Sequence, residues 1–328
     1  MTAVSEAVTS SAMRTREATV RRFALTDTIF RTATRLSAIL VLVLLGGVAV
    51  SLIAGSWEAL SKFGFSFLTT ESWNPVTENF GALAPIYGTI VTSAIAILIA
   101  VPIGIGIAVF LTELCPRPFR RPIGIAVELL AGIPSIIYGI WGLFVFAPFL
   151  QTTIQPFIIK LFHGIPGLSS LFAGPPYGIG LLTSSLILAI MVLPFITSIT
   201  KDVFDTVPAV LKESAYGIGC TTWEVTRRVT IPYTRVGIMG GVMLGLGRAL
   251  GETMAVTFVI GNAHRISASL FAPGTTISAT IANEFTEADG ELYTSSLVAL
   301  GLILFIITFI ILALARYMLL RIDSRTGA

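Results

Sequence analysis

Six apolar stretches, each long enough to cross a lipid bilayer, constrain this chain more than any other feature. A helix needs about 20 predominantly apolar residues to span the hydrocarbon core. Runs of that length lie at about 36–56, 86–111, 124–149, 178–200, 237–260 and 293–315. No charge occurs from Leu36 to Trp57 or from Leu292 to Ala315. The runs are continuous, without the alternation of membrane β-strands, which excludes a β-barrel. Pro102, Pro134, Pro148 and Pro194 fall inside them, as membrane helices tolerate when neighbours satisfy the freed backbone groups. Charged residues make up 12% of the chain, about half their share in soluble domains. The sequence therefore predicts an all-α, polytopic membrane protein with six transmembrane helices.

The basic residues orient it. With six spans and both ends on one side, the N-terminal segment, 112–123, 201–236 and the C-terminal segment share a face. That face holds 17 of the 21 Lys and Arg residues, against Lys62, Lys160 and Arg265 on the other. Such a bias marks the cytoplasmic side, so both termini are expected in the cytoplasm. Residues 1–35 are expected to be a partly disordered cytoplasmic tail. Its stretch 19–35 either lies along the membrane face or only flanks the first span. Residues 36–320 would be the membrane domain and 321–328 a second cytoplasmic tail. Cys115 and Cys220 fall on the cytoplasmic side and read as reduced structural thiols. His163 and His264 lie in separate opposite-side loops, and no spacing suggests a metal site.

Arg248 is the one remaining basic residue, and it lies inside the fifth span in "GLGRALGETMAV" (245–256). An arginine at the bilayer centre costs about 2.5–3.5 kcal/mol on insertion scales and implies a partner or a task. At 1.5 Å per residue, a helix entering near Val236 places it roughly 18 Å deep. Arg is suited to gripping an oxyanion through its planar fork of donors. On a continuous helix Glu252, four residues on, would share its face. There it could moderate the charge, accept a hydrogen bond from a protonated phosphate, or simply pair with Arg248 and fix helix packing. Gly245, Gly247 and Gly251 suggest close helix contact. In the third span Ser135 and Tyr138, after Pro134, could offer polar groups to a pathway, although a packing kink accounts for them equally. Glu128, near Arg120 and Arg121, reads as an interfacial ion pair or a cytoplasmic gate.

No Lys is preceded by Gly, so the chain has no G-x-x-x-x-G-K-[ST] phosphate loop. It also has no G-x-S-x-G elbow and no H-E-x-x-H pair, so an intramembrane hydrolase finds no support. The informative loop is 201–236. Pro208 precedes "AVLKESAYGIG", a short amphipathic helix ended by Gly217 and Gly219. A second short helix, "TTWEVTRRVT", is expected to start at Thr221 or Thr222 and stop before Ile231-Pro232. Glu213-Ser214-Ala215, then Gly219, then Val229-Thr230-Ile231-Pro232 resembles the E-A-A…G…I-x-L-P loop of bacterial ABC importer permeases. Ser replaces the first Ala, Val the Ile and Ile the Leu, while the spacing is kept.

The stretches 80–113, 128–144 and 245–256 extend the likeness to PstC-type permeases of phosphate-specific ABC importers, from about residue 36 onward. That resemblance implies the type I importer permease fold. It also implies that Glu213, Ser214, Ala215, Gly219 and Pro232 form the coupling loop against a separate ATPase. The expected partners are a PstA-like second permease, a PstB-like ATPase dimer that binds ATP and Mg, and a PstS-like phosphate-binding protein. The last would dock on the outward loops 57–85, 151–177 and 262–292, where Glu284, Glu287, Asp289 and Glu291 cluster. No cofactor is expected in this chain. The alternatives are a self-sufficient secondary anion carrier using Arg248 and Glu252, or a phospholipid enzyme, for which no nucleophile or metal cluster is present.

Overall fold

The computed structural model describes residues 2–162 and 164–324, with side chains described from Thr26 onward except at Leu168, Leu320 and 322–324. His163 lies outside the described residues, as do the last four residues of the expected C-terminal tail. The elements in chain order are α1 (Thr2–Gly55), α2 (Trp57–Phe63), α3 (Ser66–Thr69), the hairpin β1 (Trp73–Asn74) and β2 (Asn79–Phe80), α4 (Leu83–Val109), α5 (Arg117–Ala131) and α6 (Ser135–Trp141). They continue with α7 (Ala147–Phe149), α8 (Gln155–Phe162), α9 (Leu168–Leu171), α10 (Leu181–Asp205), α11 (Ala209–Gly217), α12 (Thr222–Val225) and α13 (Ile231–Leu250). The last are α14 (Met254–Thr257), α15 (Ile277–Glu284) and α16 (Glu291–Ser324). Residues to Ala54 form one compact unit and those from Gly55 a second.

Six helical segments among the described residues are long and apolar enough to cross a membrane: Thr26–Gly55, Leu83–Leu114, Ser135–Phe162, Leu181–Asp205, Thr222–Leu250 and Glu291–Leu319. Three sequence expectations change. Helix α1 runs back to Thr2 where an irregular tail is expected, because no Gly or Pro precedes Gly46. The third span does not occupy 124–149. The chain breaks at Gly132-Ile133-Pro134, separating α5 from a spanning helix that starts at Ser135. Pro134 has no N–H to continue α5 and disfavours helical backbone at Ile133. The fifth span ends at Leu250 and not near 260.

In the second unit, α10 forms the centre, and small residues let two neighbours approach it. On α4, Ala96, Ala100, Gly104 and Ala108 recur every fourth residue and are all buried; a Cβ on Gly104 would lie 3.1 Å from Ile196. On α13, Gly237, Gly241 and Gly245 make a matching stripe. A Cβ there would meet Val203 at 2.4 Å, Ile199 at 3.1 Å, and Ile196 and Val192 at 2.9 Å. In lipid, apolar burial from water does not drive helices together, so van der Waals packing between close backbones does. Ile187, Leu188, Met191, Val192 and Ile196 of α10 fill the space between. Gly247 faces Leu312 of α16 instead, and Gly251 meets no neighbouring helix among the described residues.

Candidate functional site

Two helix breaks meet inside the second unit. At the first, the end of α5, the Leu130 carbonyl accepts from Ile133 N–H at 3.4 Å and from the buried Tyr138 hydroxyl at 2.9 Å. At the second, α13 stops at Leu250, Gly251 follows, and the short helix α14 begins at Met254. Its unpaired Ala255 N–H is accepted by Glu252 Oε1 at 3.2 Å. Each break thus places a polar side chain on a backbone group at a helix end. The breaks are in contact: a Cβ on Gly139 would sit 3.0 Å from the Met254 carbonyl and 3.2 Å from Ala255 Cα.

Arg248 lies one half-turn before the second break. Its guanidinium stacks on Phe195 of α10, 4.6 Å from the ring centroid, a geometry that holds the plane while leaving its edge donors available. The buried Nε has no hydrogen-bond partner. Among the described residues no ion pair reaches the guanidinium. Glu252 does not share a helical face with it. The helix ends between the two residues, so the four-residue spacing no longer sets their geometry, and no ion pair joins them. Instead Glu252 is buried as the cap of α14. Ser135, half-buried, opens α6. Phe195 carries no signal in the sequence, because only the fold brings α10 beside Arg248.

At the other end of α13 the segment 201–236 builds a second feature. Pro208 caps α11. Gly219 adopts φ +90°, its N–H bonding to Tyr216 and that of Cys220 to Ala215. This is a Schellman closure, which requires a left-handed residue one position past the helix cap and favours glycine there. The spacing between Glu213 and Gly219 is thus a helix with its stop signal. Thr221 and Glu224 form a reciprocal capping box at α12. Helix α12 does not end before Pro232: a π-turn over Thr226–Thr230 carries it into α13. Pro232 falls in the first turn, where its missing N–H matters little. Ala215 is buried, whereas Glu213, Ser214, Gly219 and Pro232 are exposed. Beside them Val210, Ile218 and Trp223 are also exposed, Ile218 by 83%.

The loops of the opposite face are tied by Glu284. Its carboxylate accepts from Trp73 Nε1, from Tyr293 Oη at 2.8 Å and from His264 Nε2 at 2.8 Å. His264 stacks on Trp73. Burial alone would push the Glu284 carboxyl up. The bonds from His264 and Tyr293, the His264 charge and the Trp73 bond outweigh it and hold the group below its ordinary 4.5. Glu284 therefore belongs to an internal knot and is not part of a free acidic cluster. A carboxyl depressed on folding contributes stability above its unfolded pKa that is lost as pH falls through the folded one. Thermal unfolding of native protein should thus fall on the acid side of about pH 4.5. A Glu284→Gln variant should start lower and show a shallower acid fall; an unchanged acid slope would remove Glu284 from this role. Among the described residues no group of three His, Cys, Asp or Glu could hold a metal ion.

Residues 100–324 match the family described as binding-protein-dependent transport system inner membrane component. The chain is 84% identical, over the full length of both, to the phosphate transport system permease protein PstC of Mesorhizobium japonicum. It is 58% identical to that of Pasteurella multocida, covering 92% of this chain and 94% of the other. In fold it is similar to a chain of a bacterial alginate ABC transporter (TM-score 0.58, 19% identity, 88% of this chain and 94% of the other). A chain of the MetNI methionine ABC transporter is also similar (TM-score 0.50, 17% identity, 74% of this chain and 95% of the other). The fold is thus that of ABC importer permeases, and the chain belongs to the binding-protein-dependent inner-membrane transport components, within the family of PstC phosphate transport permeases.

Proposed function

We infer that this chain is one permease half of an ATP-driven importer of inorganic phosphate, non-catalytic itself and coupled to a separate ATPase. Its partners in this reading are a PstA-like second permease, a PstB-like ATPase dimer that carries ATP and Mg, and a PstS-like binding protein outside. Both termini and the segment 201–236 face the cytoplasm, in keeping with the excess of arginine and lysine there.

The observation that carries the substrate class is Arg248, a membrane-embedded guanidinium backed by Phe195 with no ion-pair partner among the described residues. A cation kept at membrane depth without a counter-ion is matched by an anion that passes. Its fork gives phosphate two parallel donors. Glu252 spends Oε1 on Ala255 and has Oε2 available to accept from a protonated phosphate oxygen, a contact that fully ionised sulfate cannot supply. Ser135 and Tyr138 flank the same junction of breaks. On the cytoplasmic side, Glu213, Ser214, Gly219 and Pro232, with exposed Val210, Ile218 and Trp223, make the coupling surface, and buried Ala215 packs α11 beneath it. Exposed apolar groups of this size on a polar loop suit a groove on a soluble partner.

The test is uptake of labelled inorganic phosphate by the four-component complex reconstituted in vesicles. Uptake should require ATP and the binding protein and should withstand excess sulfate. Uptake driven by a proton gradient in the absence of the ATPase would instead make the chain a secondary carrier.

A further inference from the structure

The coupling helix α11 is joined to the membrane domain by a nearly buried ion pair. Lys212 immediately precedes Glu213 and lies on α11; its Nζ bonds Glu113 Oε1 at 2.6 Å. The two residues are 99 positions apart, and their side chains are only 19% and 8% exposed. Glu113 does not lie on the regular register of α4. It sits in a π-turn over Phe110–Leu114, closed by Cys115 N–H to the Phe110 carbonyl at 2.7 Å. A π-turn inserts a residue and swings the following side chains around the helix, and such turns concentrate at functional positions. Here it turns Glu113 toward α11. The same turn is held from the other side by Arg120 Nε, which donates to the Leu111 carbonyl at 2.5 Å. The exposed side chains of the coupling segment, Glu213, Ile218 and Trp223, take no part in this tie.

We propose that the Lys212–Glu113 ion pair is the positioning tie through which the coupling helix α11 moves the cytoplasmic end of α4, so that ATP hydrolysis on the partner is converted into phosphate movement. The inference rests on the permease reading above. Helix α4 packs its small-residue stripe along α10, and α10 carries the Phe195 ring that backs Arg248. A displacement of α11 therefore reaches an element in direct contact with the one that holds the anion contact. A nearly buried charge pair suits this work. Its two members cannot separate without leaving a desolvated charge, so the ends move together.

The experiment uses the complete reconstituted complex and reads two quantities: ATPase retained per permease on co-purification, and labelled phosphate moved per ATP hydrolysed. In Lys212→Ala and in Glu113→Gln, retention should match native while phosphate per ATP falls by about fivefold or more, the lower end of typical coupling strengths. Exchanging the charges, Lys212→Glu with Glu113→Lys, should recover most of that loss, and Lys212→Arg should keep it near native. Native phosphate per ATP in the single variants would overturn the tie, as would a loss that charge exchange does not restore. Should the single variants fail to assemble, Lys212→Met with Glu113→Gln removes the pair without stranding a charge. An assembled double variant with a reduced ratio supports the proposal; a native ratio, or failure to assemble, overturns it in favour of a purely structural pair. If the native complex neither retains the ATPase nor moves phosphate, the permease reading fails and takes the tie with it.

Discussion

Replacing Arg248 by Gln should lower phosphate uptake by about 100-fold or more while leaving the complex assembled. Hydrogen bonds to a charged group contribute about 1.5–3 kcal/mol each, and the guanidinium offers two in parallel, so their joint loss exceeds two decades in rate or affinity. Gln is shorter and keeps one amide donor group but neither the charge nor the fork. Arg248→Lys should fall between, losing about tenfold, because an ammonium keeps the charge without the planar pair of donors. The packing around Arg248 predicts survival of the fold. It stacks on Phe195, and no ion pair among the described residues is broken by its removal. Co-purification of the ATPase and the thermal transition should therefore match native protein. Uptake at native rates in Arg248→Gln would sink the anion-contact reading; loss of assembly would assign Arg248 to packing.

The spans could be read from the sequence because run length and composition decide them, and neither depends on what packs where. The breaks could not be placed as well. The apolar residues on both sides of Gly132-Ile133-Pro134 form one unbroken stretch, so hydropathy joins α5 to the following span, although Pro134 itself signals the interruption. After Leu250 the only local mark is Gly251, and a four-residue spacing between two opposite charges argues for a continuous helix that the structure does not have. The cost of that difference is specific: Glu252 becomes a backbone cap. Gly219 was fully legible, since a glycine two positions beyond a helix end has a physical meaning of its own. The stripe Gly237, Gly241, Gly245 is periodic in the sequence, but the α10 residues it receives are not. Phe195 beside Arg248, and Glu113 beside Lys212, are pairings across distant segments that a single chain's pattern does not carry.

Gly88→Ala should be the most damaging small substitution in the membrane domain, because the atom it adds meets backbone. A Cβ on Gly88 would lie 1.8 Å from the Thr275 carbonyl oxygen and 2.9 Å from its carbon. The Thr275 segment has little freedom to retreat. Ile277 N–H donates to Thr89 Oγ1 at 2.9 Å, Ala279 N–H to Thr276 Oγ1 at 3.2 Å, and Thr275 Oγ1 pairs with Thr280 Oγ1 at 2.9 Å. Gly274 is anchored as well, donating to the Ile260 carbonyl at 3.0 Å and accepting from Ala263 N–H at 2.9 Å. Either the loop gives up several of these bonds or α4 shifts away from α10, so the cost should reach about 3 kcal/mol or more, the upper range for overpacking. Gly106 is the control on the same helix: a Cβ there meets nothing within 4 Å. Gly106→Ala should be neutral or stabilising by about 0.5–1 kcal/mol through helix propensity. Thermal unfolding of the two purified variants separates the effects, and equal losses in both would mean that α4 resents any added methyl. Gly88→Ala should also impair phosphate uptake, because the segment it displaces continues from α14, whose first turn Glu252 caps beside Arg248. The rigid packing of small residues and the anion contact are therefore the same structure seen at two depths.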